Sequence, residues 1–446
     1  MGSELVDADG RVVWGLGDPR WYVAAWTSKT SLSALEMTPD ETEGIYGRIT
    51  PRRLLRFPAF APFLAGFEPY SALLKSLRSV TYPAAVKEFP YDWRLPVAYT
   101  GGLLADFAIR HLVEWRNSEQ EVAARRQDPE GDRPARLVIV AHSMGGLLVR
   151  QACRSAGFAE EVRATVTLGT PFFGAPKAVQ MLAAPGRTLL PRERLQELAR
   201  GLPGVYDLLP TYRCVADGAQ ARRLTASDVD GVGGDGTLAE TSFSWQESVS
   251  AVQLPHHEQV VGVNQPTTQS LTIEAGAVTG HEYTYERTTT GVQKVALGGD
   301  GTVPMIAARI PDGADIPLAQ SHGALASHSD SQIVVEHVLA KRRRGPWLGG
   351  GGLGLSVPDV VVAGSSWEAS VNGTERAGQP VCSVVDVATG LVVDIPEIRP
   401  GAADGVSVAL VSPLPVGLFR VSADGGGTAP VQQMVMVTPD TGRPAR

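Results

Sequence analysis

A serine with the surroundings of a nucleophile is the first feature of this sequence that could do chemistry. In LVIVAHSMGG (residues 137–146) an apolar run ends at a small residue, and Ser143 precedes a predicted helix. A serine on such a sharp turn needs small residues two positions away, because strand and helix must cross closely. Ala141 stands for the first glycine of the G-x-S-x-G pattern, and Gly145 is the second. The alternative is an ordinary turn with a serine N-cap. The combination of strand, turn and helix favours a catalytic Ser143.

The same turn predicts part of an oxyanion hole. The backbone N–H of Met144 lies at the positive end of the predicted helix, where it can donate to the oxygen anion that forms when Ser143 attacks an acyl carbonyl. We therefore predict acyl transfer through Ser143, with Met144 as one oxyanion donor.

A general base for this serine has two leading candidates among the eight histidines. Both lie in AQSHGALASHSDSQIVVEHVLAK (residues 319–341), which predicts a loop followed by the last helix of the first domain. His322 falls in the loop, whereas His328 falls at the N-cap of the helix, where the dipole disfavours a protonated imidazole. The sequence therefore favours His322. The histidines that fit less well are His111, His142, His256, His257, His281 and His337.

The acid that orients the base is expected between the serine and the histidine in chain order. The string GGDGT occurs twice and offers Asp235 or Asp300. Asp300 follows VQKVAL, a predicted apolar strand, whereas Asp235 follows TASDVDGVG, which predicts no strand. An acid that holds an imidazole must be fixed by a sheet edge. We therefore predict that Asp300 is the acid and that Asp235 is a turn residue on a surface excursion.

The elements around these residues alternate between strand and helix, which indicates an α/β sheet. RLVIVAHS and VRATVTLGTP predict buried strands, and GGLLVRQACRSAG and LLADFAIRHLVEWR have helical spacing. Residues 184–250 are rich in glycine, proline and polar residues, and we expect them to form excursions from the sheet.

A second domain is predicted at the C-terminus. Residues 345–353, GPWLGGGGL, predict a linker, and after it come about seven short β-branched runs separated by turn residues. The sequence thus predicts an α/β domain at 1–344 and an all-β sandwich at 354–446. Since the sandwich contains none of the three predicted catalytic residues, we expect it to carry no esterase activity.

Composition narrows the function further. The 446 residues carry a net charge of −7, which argues against nucleic acid as a partner. The three cysteines make no disulfide framework and show no metal-ligand spacing, and the pair His256–His257 has no third ligand nearby. We therefore predict no metal and no cofactor. The absence of a signal peptide from the sequence as written predicts a cytoplasmic protein.

Taken together, these motifs resemble those of the lecithin:cholesterol acyltransferase-like family of α/β-hydrolases. The resemblance extends over roughly residues 1–340 and rests on FPYDWRLP, AHSMGG, TLGTPFFGAPKA, YDLLP and GGDGTVP. It implies an α/β-hydrolase fold and a Ser-Asp-His triad acting on lipid acyl esters, with Ser143, Asp300 and His322 at the matching positions. Within YDWR, we expect Asp92 and Arg94 to form a structural pair around a buried Trp93.

The resemblance also implies a mobile lid and an apolar cap, and residues 15–75 are the candidate. The aromatic side chains of this segment could contact an acyl chain or a membrane surface, or they could simply pack onto the sheet, and the sequence leaves both open. They are Trp21, Trp26, Phe57, Phe60, Phe63 and Phe67.

Relatives carry one more apolar strand before the position where this sequence begins, and the residue after it supplies the second oxyanion donor. We therefore expect that the sequence lacks its first strand and this donor, and that the natural protein starts upstream of Met1. A targeting signal in such an extension would make the protein extracellular. A shortened protein with weak or no activity is the alternative.

The functional prediction is a serine-dependent lipid O-acyltransferase or lipase that forms an acyl-enzyme. The sequence does not distinguish transfer to water from transfer to an alcohol. A general carboxylesterase or amidase on the same triad is one alternative, and a non-catalytic scaffold or binding protein is the other.

Overall fold

The structure is a computed structural model. It describes residues 2–18, 21–23, 32–60, 66, 68–127, 133–183, 192–289, 291–311, 313–342, 352–374, 380–402, 405–425 and 429–439. Trp26, Phe63, Phe67 and most of the predicted linker therefore lie outside the described residues.

The helices of the described residues all lie in the first domain. They are α1 (Pro39–Thr42), α2 (Ser71–Val80), α3 (Val97–Arg116), α4 (Glu119–Gln127), α5 (Gly145–Ala152), α6 (Phe158–Glu161), α7 (Pro176–Leu182), α8 (Arg192–Arg200), α9 (Pro203–Tyr206), α10 (Ala226–Gly231), α11 (Gly236–Val249), α12 (Met305–Ala308) and α13 (Ser329–Leu339). Short 3₁₀ turns cover Ser33–Leu35, Pro83–Ala85 and His322–Ala324.

The strands divide between the two domains. Those of the first domain are β1 (Ser3–Val6), β2 (Val12–Trp14), β3 (Thr50–Leu54), β4 (Leu137–His142), β5 (Val162–Leu168), β6 (Arg213–Asp217), β7 (Gln220–Arg223), β8 (His257–Gly262), β9 (Ser270–Glu274), β10 (Ala277–His281), β11 (Thr284–Thr288), β12 (Gly291–Val295) and β13 (Ala314–Leu318). Those of the second are β14 (Gly354–Ser356), β15 (Val360–Val362), β16 (Trp367–Asn372), β17 (Val381–Asp386), β18 (Val392–Asp394), β19 (Ile398–Pro400), β20 (Val406–Val411), β21 (Gly417–Asp424) and β22 (Val431–Thr438).

A parallel sheet in the order β13-β8-β5-β4 forms the centre of the first domain. Ile139 of β4 packs against the main core, which contains residues of α3 and α5, whereas Val140 packs against the cluster that contains residues of α2 and α13. Since successive side chains of a strand point to opposite faces, helices cover the sheet on both faces. This is the predicted α/β class. The carboxyl ends of β4, β5 and β8 meet at one edge, where the candidate site lies.

One side of β4 is unpaired within the described residues, because β4 is the last strand of the sheet order. A cavity of about 440 Å³ runs along this side and is lined by the whole strand, by Leu73 and Leu77 of α2, and by Leu104 and Phe107 of α3. The expectation of an upstream start stays a prediction.

The second domain is a sandwich of two antiparallel-rich sheets, ordered β14-β16-β20-β19 and β15-β22-β21-β17-β18. The fold class predicted for the C-terminus is therefore confirmed. Two strands were missed. The run LSVPDVVV splits at Pro358 into β14 and β15, which belong to different sheets, because proline has no N–H for a ladder. The short β19 carries Pro400 and shows no alternation.

The described aromatics of the candidate lid pack mostly inward. Phe60 is fully buried in the main core, and Trp21 packs edge-on against Trp14 with 6.4 Å between ring centroids. Phe57 is 46% exposed. No helix among the described residues has the length and apolar character needed to cross a membrane.

The YDWR motif is bonded to the candidate lid (residues 15–75) through a network of buried charged groups. Arg94, which is fully buried, donates through Nε and Nη2 to both oxygens of Asp92 and through Nη2 to Glu41 Oε1 at 2.8 Å. Its Nη1 donates to the Leu35 carbonyl at 3.2 Å. Burial by itself raises the pKa of Glu41, but hydrogen bonds from Arg94, from the Thr38 backbone and from Arg48 outweigh it and lower that pKa to about 2.

We expect Arg94→Met to destabilise the protein by about 3–5 kcal/mol, because it leaves Asp92 and Glu41 as buried carboxylates without their shared partner. Urea denaturation measures this change. Arg11→Met is the matched control, since Arg11 pairs with Asp9 at an exposed site (77% and 69% exposed side chains) and such pairs contribute about 0–1 kcal/mol. Equal losses in the two variants would contradict the structural role assigned to Arg94.

Candidate active site

Ser143 lies on a strained turn between β4 and α5. Its backbone φ is +56°, a value that residues with a side chain rarely adopt. The turn is tied to the neighbouring strand, because Ser143 N–H donates to the Leu168 carbonyl at 2.9 Å. A Cβ on Gly145 would lie 3.7 Å from Ala141 Cβ, an ordinary contact, which explains why alanine is accepted at 141.

The three predicted catalytic side chains come together at this turn. His322 Nε2 lies 2.8 Å from Ser143 Oγ, and His322 Nδ1 lies 2.7 Å from Asp300 Oδ2. Asp300 is 1% exposed and His322 is 2% exposed. The His322 backbone N–H also donates to the Asp300 carbonyl at 2.8 Å. The structure thus brings together the three residues that the sequence singled out.

The Asp300 carboxylate is held in one orientation by its own loop. Its Oδ1 accepts hydrogen bonds from Thr302 N–H at 2.9 Å and from Val303 N–H at 2.6 Å, which leaves Oδ2 to face His322. The preceding strand does not provide the support that the sequence indicated. Among the described residues β12 pairs only with β11, in a two-stranded ribbon, and Asp300 instead bridges to Gln265, just after the end of β8.

Three glycines that sequence reasoning missed make room for this geometry. Gly169, with φ +59°, would place a Cβ 2.9 Å from Asp300 Oδ2 and 3.2 Å from His322 Nδ1. Gly262, at the end of β8, would place a Cβ 2.3 Å from Asp300 Cβ. Gly146 would place one 2.1 Å from Thr170 Oγ1. The available signal was weak, because glycine after a strand is common in any α/β fold.

His142 is hydrogen-bonded to the loop that carries His322. Its Nε2 lies 2.9 Å from the His322 carbonyl, and its Nδ1 lies 2.9 Å from Tyr70 Oη. A carbonyl only accepts, so Nε2 carries the proton and Nδ1 accepts from Tyr70. Burial, and secondarily the nearby His322, lower the pKa of His142 to about 3. His142 is therefore neutral near pH 7.

The remaining candidates lie where they cannot join the three residues. His328 is the N-cap of α13, and its Nδ1 accepts from Asp330 N–H at 3.2 Å. Asp235 is the N-cap of α11, and its Oδ1 accepts from Thr237 N–H at 2.8 Å.

Met144, the predicted oxyanion donor, directly follows Ser143. It is the N-cap of α5 and is 5% exposed, so its amide lies at the positive end of that helix.

Comparison with known proteins agrees with this fold. The lecithin:cholesterol acyltransferase family model matches residues 60–259, which include Ser143 but end before Asp300 and His322. A chain in the crystal structure of the Tle4–Tli4 complex superposes with a TM-score of 0.51 at 12% identity, covering 76% of this chain and 96% of that one. The Bacillus licheniformis lipase BlEst2 in mature form matches with a TM-score of 0.30 at 14% identity, covering 55% of this chain and 74% of that one. A search of curated proteins found no match.

The family match supports activity on acyl esters, either as a hydrolase or as an acyltransferase. Together with the parallel sheet and the strained serine turn, it confirms the resemblance seen in the motifs. Residues 60–259 of this chain are similar to the lecithin:cholesterol acyltransferase family, and the first domain has an α/β-hydrolase fold.

Proposed function

We propose that this protein is a serine-dependent lipase or lipid O-acyltransferase that works through an acyl-enzyme on Ser143. The observation that carries the proposal is the continuous hydrogen-bonded chain from Asp300 through His322 to Ser143, with heavy-atom distances of 2.7 and 2.8 Å. Such a chain is the arrangement that activates a serine hydroxyl.

The direction of proton transfer follows from the donors and acceptors. An ionised Asp300 can only accept, so His322 Nδ1 carries the proton and Nε2 is free to take one from Ser143 Oγ. Oγ then bonds to the acyl carbon, and the carbonyl oxygen becomes an anion that the Met144 N–H can stabilise. When the tetrahedral intermediate collapses, the bond to the leaving alcohol breaks and His322 Nε2–H returns the proton to that alcohol.

The second half of the reaction decides between hydrolysis and transfer. Water or an acceptor alcohol attacks the acyl-Ser143 carbonyl, gives its proton to His322 Nε2, and releases a fatty acid or a new ester while the proton returns to Oγ. The chemistry is the same for both acceptors. Which one reacts depends on what reaches the acyl-enzyme, so the two reactions are separated by product analysis.

We expect the purified protein to release acyl chains from phospholipid vesicles carrying a labelled fatty acyl group, and to do so only when Ser143 is present. Parallel incubations with and without a long-chain alcohol show whether free fatty acid or a new ester accumulates. Ser143→Ala is the control. Turnover of p-nitrophenyl acetate without any lipid product would favour a general esterase. An inert protein would favour a scaffold.

A further inference from the structure

Two buried glutamines connect the loops of the candidate site to the sandwich domain. Gln265 is 2% exposed and Gln320 is 1% exposed. Burying a primary amide is unfavourable unless its oxygen and its NH₂ group are hydrogen-bonded. Both amides find partners on the backbone of sandwich strands β14 and β22 and of the residue just before each strand. Each amide also has one hydrogen bond within the first domain, from Gln265 Nε2 to the Val263 carbonyl and from the Ser321 N–H to Gln320 Oε1.

Gln320 bonds to strand β22 and to the residue before it. Its Nε2 donates to the Pro430 carbonyl at 3.1 Å, and its Oε1 accepts from the Gln432 N–H at 3.1 Å. The next residue along the loop adds a contact, since Ser321 Oγ donates to the Gln432 carbonyl. His322 follows directly, so the base lies within two residues of three hydrogen bonds to the sandwich.

Gln265 repeats the same pattern on strand β14. Its Nε2 donates to the Leu353 carbonyl at 3.2 Å, and its Oε1 accepts from the Leu355 N–H at 2.9 Å. In both cases one amide bonds the C=O of one residue and the N–H of the residue two positions later, as a neighbouring strand would. The Gln265 backbone N–H donates to the Gly299 carbonyl at 3.0 Å, beside Asp300.

A partly buried ion pair connects the loop that carries His322 to the sandwich a second time. Arg420 of β21 donates through Nε and Nη2 to the two oxygens of Glu68, at 2.6 and 2.7 Å. The backbone N–H of Glu68 donates to the Gly323 carbonyl at 3.1 Å. The residue after His322 is therefore also held through the second domain.

We propose that Gln265 and Gln320 are positioning residues, through which the sandwich domain sets the distance between Asp300 and His322. This inference rests on the proposed function. It assigns the sandwich a role in catalysis although the domain contributes none of the three reacting groups.

The test compares Gln265→Leu and Gln320→Leu in the full chain with wild type and with Gln433→Leu. Leucine keeps the approximate volume of glutamine and removes both hydrogen bonds to the sandwich side together with the one bond that each amide makes within the first domain. Gln433 is the matched control, because it lies on β22 but donates to the Val357 carbonyl within the sandwich. The rate of fluorophosphonate labelling at Ser143 and the steady-state constants for a soluble ester are measured for each.

We expect Gln265→Leu and Gln320→Leu each to lower the labelling rate and kcat by roughly 10- to 100-fold, since a displacement of about 1 Å can lower a rate by 10². KM should stay near the wild-type value, because neither glutamine is one of the reacting groups. Gln433→Leu should react like wild type even if it unfolds at a lower temperature.

Hydrogen exchange at the His322 amide provides a readout that does not need activity. We expect faster exchange of this amide in Gln320→Leu and unchanged exchange in Gln433→Leu. Wild-type rates and exchange in both glutamine variants would overturn the inference while leaving the proposed function intact. A wild-type protein that is not labelled at all would overturn the proposed function, and with it the catalytic part of this inference.

Discussion

Ser143→Ala is expected to abolish acyl-enzyme formation and to lower turnover by roughly 10⁶-fold, as loss of a nucleophilic serine does in other triads. The substitution removes only the oxygen that lies 2.8 Å from His322 Nε2. Alanine keeps the Cβ, so the strained φ of +56° is no worse than in wild type and the fold should persist. Fluorophosphonate labelling with mass spectrometry of the labelled peptide measures the effect. A labelled Ser143→Ala protein would show that another residue is the nucleophile.

A pair of histidine variants completes this prediction. His322→Ala should approach the loss seen in Ser143→Ala, because no other described imidazole lies within hydrogen-bond distance of Ser143 Oγ. His328→Ala should lose only an N-cap, which is about 1 kcal/mol of stability. If His328→Ala were inactive and His322→Ala active, the assignment of the base would be wrong.

The second large effect is expected for Asp300→Asn. The two backbone N–H groups at Oδ1 should keep the oxygen of asparagine on their side and turn its NH₂ toward His322 Nδ1. An NH₂ group donates, so Nδ1 must become the acceptor and the ring proton moves to Nε2. That tautomer cannot take the proton of Ser143. The same substitution in a serine protease lowers kcat by about 10⁴, and we expect a comparable loss.

Asp235→Asn is the matched control, since Asp235 lies in the same five-residue string at another place in the fold. Its Oδ1 accepts from Thr237 and Leu238 N–H groups at the start of α11. Asparagine caps helices about as well as aspartate, so activity and stability should stay near wild type. Both variants are compared by kcat on one ester substrate. Equal losses would mean that the two GGDGT strings were assigned wrongly.

The local patterns of the sequence were sufficient to predict the strand, the turn and the helix that carry the candidate site. The run before Ser143 predicts β4, and the small residues around it predict the turn into α5, because sharp strand–helix turns need such residues. The polar stretch after Ala326 predicts the start of α13 and assigns His328 to its N-cap, as observed. These features depend on residues that are close in the chain, so a single sequence is enough to predict them.

The support of the acid could not be predicted in this way. The run before Asp300 has the composition of a strand, but within the part of the chain that the structure describes this strand pairs only with β11 in a two-stranded ribbon. The backbone of Asp300 is placed by a bridge to Gln265 and by the room that Gly262 leaves, and both residues precede Asp300 by more than thirty residues along the chain. The periodic pattern of apolar residues within one segment cannot predict a contact with a distant segment, because the two segments meet only when the sheet has formed.

By itself, the sequence determined the α/β class, the sandwich, the candidate nucleophile and the order of the three candidate residues, because apolar period and turn chemistry are local properties. Only the tertiary structure decided that the glycines at 169 and 262 leave room for the acid and that the sandwich holds the loop of the base. Those contacts join Gln320 to Gln432 and Glu68 to Arg420. They are formed by packing two domains together, and the residues concerned carry no signal in their own neighbourhoods.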